Sequence, residues 1–293
     1  IDVSVSDWQK SENKILLALN DGSDHIVVDT INGQVRFLSQ YLPKQFSIKD
    51  IAQLKAGPRG LLLILKANTV YSFDIDKKVL AIIRKDIASI ESSDDSVVYY
   101  VSIKNGEYVL NKAYLQTNAF VQEQALGLLN FKISKNPAFE IRAENSQLIY
   151  IYEKNVGLLV EYSASDNLRR IDGEITAFNL SSDLKRVLYQ KKNEIWAYYR
   201  DDIKIQPFKY IGQRELVVKI PQDIISSQWY TATDNHIIYS FEDNIKFVEL
   251  DERNPRNTFH IAKMVSSQLS YDRLNDKLYI LSGGFLYVVD MES

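Results

Sequence analysis

The chain has 293 residues, a formal net charge of -3, and 45 % hydrophobic against 25 % charged residues, a balance that excludes an unfolded chain and leaves room for a sizeable buried core. Basic runs are no longer than pairs such as Lys77-Lys78, Arg169-Arg170 and Lys191-Lys192, which excludes nucleic acid as the main partner because phosphate binding needs clustered cations. The absence of cysteine excludes disulfides, thiolate metal sites and thiol nucleophiles together, and leaves the compartment open.

From the first residues onward one phrase recurs about seven times: an apolar anchor, a polar turn, a β-rich strand, a short turn and another strand. In chain order the anchors are Trp8, Leu54, Ile90, Ile141, Leu180, Tyr230 and Tyr271, on average about 44 residues apart. Seven residues after each anchor stand Ile15, Leu61, Val97, Leu148, Val187, Ile237 and Leu278, and two further on Leu17, Leu63, Tyr99, Tyr150, Tyr189, Tyr239 and Ile280. A step of two is the strand period, and the residues between these columns are apolar as well, so this second strand is expected to be covered on both faces.

Third strands are expected to begin near His25, Thr69, Glu107, Val156, Glu194, Asn244 and Gly284, and less apolar outer strands to run over 34–39, 78–84, 119–124, 168–172, 215–219 and 258–262. The pattern predicts an all-β fold, a β-propeller of about seven four-stranded blades at 1–44, 45–86, 87–126, 127–173, 174–221, 222–263 and 264–293, forming a single domain. A β-sandwich array would not produce equivalent columns at this spacing. The last blade lacks room for an outer strand, and the chain starts at Ile1 without an initiator methionine. It therefore reads as a piece of a longer protein, with the closing strand expected upstream or the ring closed on a three-stranded blade. No apolar run approaches the 18 or more residues of a bilayer-spanning helix.

Chemistry-bearing motifs are sparse. The histidines, His25, His236 and His260, belong to different strands and lack metal-ligand spacing. Gly283-Gly284 reads as a tight hairpin turn, and no phosphate loop or nucleophile elbow occurs. The carboxylate pairs Asp94-Asp95, Asp201-Asp202 and Asp251-Glu252 fall at turns, where solvation explains them. Neither cofactor, metal nor catalytic residue is expected, and the chain reads as a non-enzyme.

What rises above background is aromatic content, with 18 Tyr, 12 Phe and 3 Trp. Trp229 falls one step off the anchor column, where other repeats carry Asp7, Gln53, Ser89, Glu140, Asn179 and Ser270. An apolar ring in a polar column marks Trp229 with Tyr230 as a candidate interaction surface, together with Trp196, Tyr198 and Tyr199 on a third strand whose alternation would expose some rings. Two long connections, 124–137 and 201–213, are candidate recognition loops.

The turns Ser181-Ser182-Asp183-Leu184-Lys185-Arg186 and Lys10-Ser11-Glu12-Asn13-Lys14 resemble those of TolB-like and dipeptidyl-peptidase-type propellers, without the Pro and Gly of that pattern. Over residues 170–293, the phrases Asn193-Glu194-Ile195-Trp196-Ala197-Tyr198-Tyr199, Trp229-Tyr230, His236-Ile237-Ile238-Tyr239 and Phe247-Val248-Glu249-Leu250-Asp251 resemble the propeller region of PEGA-domain surface proteins of small-genome bacteria. That resemblance implies an extracytoplasmic propeller anchored in the membrane through upstream segments, and no particular activity. The function expected is a non-catalytic binding or scaffolding propeller whose partner is a protein or an envelope polymer. The alternatives are a substrate-gating accessory domain of a peptidase and a propeller glycosidase or lyase.

Overall fold

The computed structural model describes residues 5–11, 14–19 and 24–291, apart from 30, 45, 94–95, 117, 166, 205, 253–255 and 274, with backbone alone over 5–19. The pair Asp94-Asp95, the turn residues Glu12-Asn13 and the side chains of Trp8, Ile15 and Leu17 lie outside the described residues. Backbone packing divides the chain into two compact units, Ile1–Ile171 and Asp172–Ser293.

Among the described residues the first unit carries four four-stranded sheets, the second two four-stranded sheets and one of three strands. Within every sheet each strand is hydrogen-bonded to the next in sequence. The first three sheets comprise Val5–Ser11 to Val35–Phe37, Gln53–Ala56 to Val79–Lys85, and Ile87–Ser92 to Ala119–Leu128. The fourth runs from Phe139–Asn145 to Asn167–Asp172, the fifth from Ala177–Leu180 to Arg214–Lys219, the sixth from Ile224–Trp229 to Thr258–Lys263, and the seventh from Gln268–Asp272 to Phe285–Asp290.

The physical driver is the run of apolar residues on the second strand of each sheet. Val97–Val101, Leu148–Ile151 and Arg186–Gln190 are buried throughout, and for Val97–Val101 the cause is the packing of the second and fourth sheets on its two faces. In the first unit one core joins the second and third sheets through Leu63, Val70, Val98 and Tyr100, and another joins the third and fourth through Tyr99, Leu110, Ile141 and Ile149. In the second unit Leu188, Tyr199, Trp229 and Tyr239 join the fifth and sixth sheets, and Ile238, Leu269 and Ile280 the sixth and seventh.

Most departures from the predicted strands are local. The outer strand expected over 34–39 stops at Phe37, where Leu38–Gln40 turns into a 3-10 helix that buries Leu38. The expected third strand at Val156 starts at Leu158, because Gly157, with φ +62°, belongs to the turn. The 124–137 connection begins late, since its first residues continue the strand Ala119–Leu128.

The three-stranded seventh sheet ends on a strand unlike the third strands elsewhere. Phe285, Leu286, Tyr287 and Val288 are between 42 % and 68 % exposed, and among the described residues no strand pairs with the outer edge of Phe285–Asp290. Gly283 and Gly284, with φ +57° and +83°, form the tight turn before it.

Candidate binding cleft

The second unit contains a cleft of about 840 Å³, built where the fifth and sixth sheets meet. One wall is the turn that opens the second strand of the fifth sheet. Ser181 Oγ donates to Asp183 Oδ1 at 2.6 Å and accepts the Arg186 amide at 3.0 Å, while the Lys185 amide donates to Asp183 Oδ1 at 3.0 Å. Burial pushes the Asp183 carboxyl up, but these hydrogen bonds and the nearby Arg186 outweigh it and hold the group below the usual carboxylate range.

Arg186 spans the junction of the two sheets. Its Nη1 donates to the Asp234 carbonyl and, at 3.2 Å, to Asn235 Oδ1, its Nη2 lies 3.6 Å from Asp183, and its guanidinium sits 5.7 Å from the centroid of the Trp229 ring. In return the Asp234 carboxylate accepts the Ser182 amide at 3.0 and 3.1 Å and the Ser182 hydroxyl. The two turns therefore clamp each other reciprocally, with Arg186 and Asp234 both buried and hydrogen-bonded across the junction.

The opposite wall is the 201–213 segment, which joins the third and fourth strands of the fifth sheet. Its described backbone is fastened at several points. Ile203 and Lys209 form an antiparallel bridge, the Ile211 amide donates to Asp202 Oδ1 at 2.9 Å, and the Gly212 amide donates to the Tyr199 carbonyl at 2.7 Å.

Lys209 is the central pin, only 2 % exposed. Its Nζ donates to Glu252 at 2.7 Å and lies 2.9 Å from Glu215, whose carboxylate also accepts the Tyr199 hydroxyl at 2.7 Å and pairs with Arg256. Two cations and two carboxylates make the group electrically closed. Burial pushes the Lys209 ammonium down, but its hydrogen bonds to Glu252 and Glu215 push it further up, so it stands above the usual lysine value. The hydrogen bond from Lys209 holds Glu252 below the ordinary glutamate value despite some burial. Burial and the Glu215 hydrogen bond raise the Tyr199 phenol well above its usual value.

With Lys209 turned inward, its sequence neighbours face water: Phe208, Tyr210 and Ile211 are 56 %, 69 % and 53 % exposed. Three large apolar side chains thus project from a stretch whose backbone is hydrogen-bonded at Lys209, Ile211 and Gly212, an arrangement that lowers the entropy cost of using them as contacts. Sequence reasoning singled out the segment but not these residues. Their signal was large apolar residues inside a stretch with no strand period.

Of the expected interaction surface, Trp229, Tyr198 and Tyr199 are buried, which corrects those three, whereas Tyr230 and Trp196 are half-buried. Trp229 is 2 % exposed; it pairs with Ile237 in the position that Leu180 and Tyr271 occupy opposite Val187 and Leu278. The hairpin of the sixth sheet is one residue longer, so Trp229 and not Tyr230 is its anchor. The indole Nε1 donates to the Asn179 carbonyl at 3.2 Å, which satisfies its polar edge inside the core.

Tyr198 and Tyr199 are buried, and Tyr199 meets the cleft only as part of its lining beneath Lys209. Trp196 is half-buried, stacked on Tyr189 at 6.3 Å, with its Nε1 donating to Glu194 at 2.9 Å. Tyr230 is half-buried in a ring cluster, 5.0 Å from Tyr271 and 5.3 Å from Phe247.

Of the sequence-singled carboxylates, Asp201, Asp202 and Asp251 line the cleft, while Glu252 belongs to the Lys209 group. Burial lowers the His236 imidazole below its usual value, with Glu249 at 4.0 Å opposing the shift. Among the described residues no group of three metal-ligating side chains occurs, and no helix is long and apolar enough to cross a membrane.

Structural comparison gives similar folds along nearly the whole chain. The propeller known as the Dos1 propeller matches with a TM-score of 0.59 and 15 % identity over 99 % of this chain and 79 % of that one. The fold is that of a β-propeller. The β-propeller domain of Myceliophteria thermophila Cps50 (Swd1) matches with a TM-score of 0.52 and 13 % identity over 98 % of this chain and 97 % of that one. A streptogramin B lyase matches with a TM-score of 0.52 and 10 % identity over 98 % and 94 %. At such identities the likeness is one of fold, and this propeller fold hosts both enzymes and non-enzymes. No protein-family model matches the sequence, and no curated protein matches it.

Proposed function

We propose that this propeller is a non-catalytic binding domain whose partner is a protein that docks on the 201–213 segment and the cleft beside it. The observation that carries the reading is the exposure of Phe208, Tyr210 and Ile211 on a backbone pinned by the buried Lys209. Rigid aromatic and aliphatic area at low entropic cost is what protein interfaces use as anchors.

The chemistry of the cleft supports binding over catalysis. A general acid or base works best with a pKa near neutrality, yet Asp183 in the lining is held low by its hydrogen bonds and Arg186. Arg186 and Lys209 hold the fold together through internal partners. The PEGA-type surface-protein reading of residues 170–293 rests on the sequence phrases alone.

The test replaces Phe208, Tyr210 and Ile211 together with serine in the protein expressed in its source cells. Co-purifying proteins are then quantified against wild type and against a control with Val79→Ser and Ile82→Ser, two exposed positions on the outer strand of the second sheet. The reading expects at least one stoichiometric partner to be lost from the triple variant and kept by the control. Equal recovery from all three proteins contradicts it.

A further inference from the structure

Asparagine precedes glycine at two places in the chain, Asn32-Gly33 and Asn105-Gly106, and both lie between strands. Asparagine is thermolabile, most of all before glycine, because a residue without Cβ leaves its backbone nitrogen open to the neighbouring side-chain carbon. The structure treats the two places differently.

Asn105 and Gly106 are the whole turn between Val97–Lys104 and Glu107–Gln116 of the third sheet, closed by the pairing of Lys104 with Glu107. Their φ angles of +53° and +80° are those of a two-residue type I′ hairpin. Both residues are exposed, and a Cβ at Gly106 would meet nothing within 4 Å. Among the described residues the Gly106 amide has no acceptor and the Asn105 side chain no partner. At the other place both reacting groups are engaged. The Gly33 amide donates to the Asp29 carbonyl at 2.9 Å, and the Asn32 side-chain carbonyl accepts the Gln34 amide at 2.8 Å, a local bond that fixes its rotamer.

We propose that Asn105 is a modification site, deamidated in the folded protein with the Gly106 amide nitrogen as nucleophile. Hydroxide removes the amide proton and the nitrogen bonds to Cγ of Asn105. The bond from Cγ to Nδ2 then breaks, and Nδ2 takes a proton from water and leaves as ammonia, which closes a five-membered imide. Water opens that ring at Cγ to give aspartate, or at the main-chain carbonyl carbon of Asn105 to give isoaspartate, whose backbone runs through Cβ and Cγ. The sum is one water consumed and one ammonia released, with nothing oxidised or reduced. Either product adds a negative charge to the turn. Isoaspartate also adds a backbone carbon to the connection that sets the register of the hairpin, whose strands carry Tyr99, Val101 and Leu110 into the core.

The test uses the wild-type protein, aged at mildly alkaline pH both folded and in urea, where the hairpin is lost. Tryptic peptides covering 15–36 and 86–112 are sequenced by tandem mass spectrometry, with electron-transfer fragmentation to separate isoaspartate from aspartate. In the folded protein, conversion at Asn105 is expected to exceed that at Asn32 about fivefold, the weight of one net hydrogen bond, and to quicken as pH rises. Asn111 in the same region serves as the internal control and stays intact, because its Nδ2 donates to Ser102 Oγ at 2.8 Å and to the Val109 carbonyl at 2.7 Å. In urea the rates at Asn32 and Asn105 converge. Equal or faster conversion at Asn32 in the folded protein overturns the proposal, as does an Asn105 that stays intact when folded and converts in urea. A preference for Asn105 that persists undiminished in urea also overturns it, since the selectivity would then belong to the sequence and not to the turn.

Discussion

Replacing Lys209 by Met tests the architecture beneath the proposed surface. The substitution keeps most of the aliphatic stem and deletes the Nζ that bridges Glu215 at 2.9 Å and Glu252 at 2.7 Å. Glu252 is half exposed and recovers water, whereas Glu215, 6 % exposed, keeps Arg256 and the Tyr199 hydroxyl as partners. Breaking a buried pair outright costs about 3–5 kcal/mol, and with Arg256 retained we expect about 2 kcal/mol. For a chain of this size that corresponds to a fall of about 4 °C in Tm. Urea unfolding of Lys209→Met, Glu215→Gln and the double variant closes a mutant cycle, for which the buried bridge predicts a coupling of at least about 1 kcal/mol. Additivity within about 0.5 kcal/mol, or a Lys209→Met protein as stable as wild type, refutes the reasoning.

Further consequences follow from the same contacts. The Glu252 carboxyl is held below its ordinary value, first by the Lys209 hydrogen bond, so its stabilising effect is complete above the unfolded value near ~4.3 and lost as pH falls through the lowered one. The stability gap between wild type and Glu252→Gln is therefore expected at pH 7 and absent in strong acid, read by urea midpoints across pH. Trp229→Phe removes the buried hydrogen bond from the indole to the Asn179 carbonyl, for a loss of about 1 kcal/mol in chemical denaturation. Gly212 adopts φ +82° with nothing within 4 Å of an added Cβ, so Gly212→Ala costs about 1–2 kcal/mol through backbone strain alone and raises amide exchange at 209–212. Val288→Lys on the last strand, whose outer edge is unpaired among the described residues, is expected to slow aggregation on heating without lowering Tm, because a lysine on a sheet edge opposes strand pairing.

How far the sequence alone reached depends on which forces act at each place. The apolar triplets such as Val97-Val98-Tyr99 and Val187-Leu188-Tyr189 announced both-face burial, because strand periodicity and hydrophobic burial act over a few neighbouring residues. The turn at 181–186 was visible for the same reason, since Ser181 and Asp183 organise a local loop. Trp229 was misplaced because its register depends on one extra residue in the 230–235 turn, which repeat alignment without gaps cannot see. The Lys209, Glu215, Glu252 and Arg256 group was not legible, because its members meet only after the fifth and sixth sheets pack together. Phe208, Tyr210 and Ile211 look like core residues in sequence, and the inward turn of Lys209 is what sends them outward.

The central claim is that a protein partner touches the 201–213 face. Its most direct measurement is photo-crosslinking in source cells from a benzoylphenylalanine placed at 210, compared with one at 79 on the exposed outer strand of the second sheet. The account predicts a discrete protein adduct from position 210, absent from position 79 and abolished when Phe208 and Ile211 are serine. An adduct of equal yield from both positions, or from position 79 alone, contradicts it.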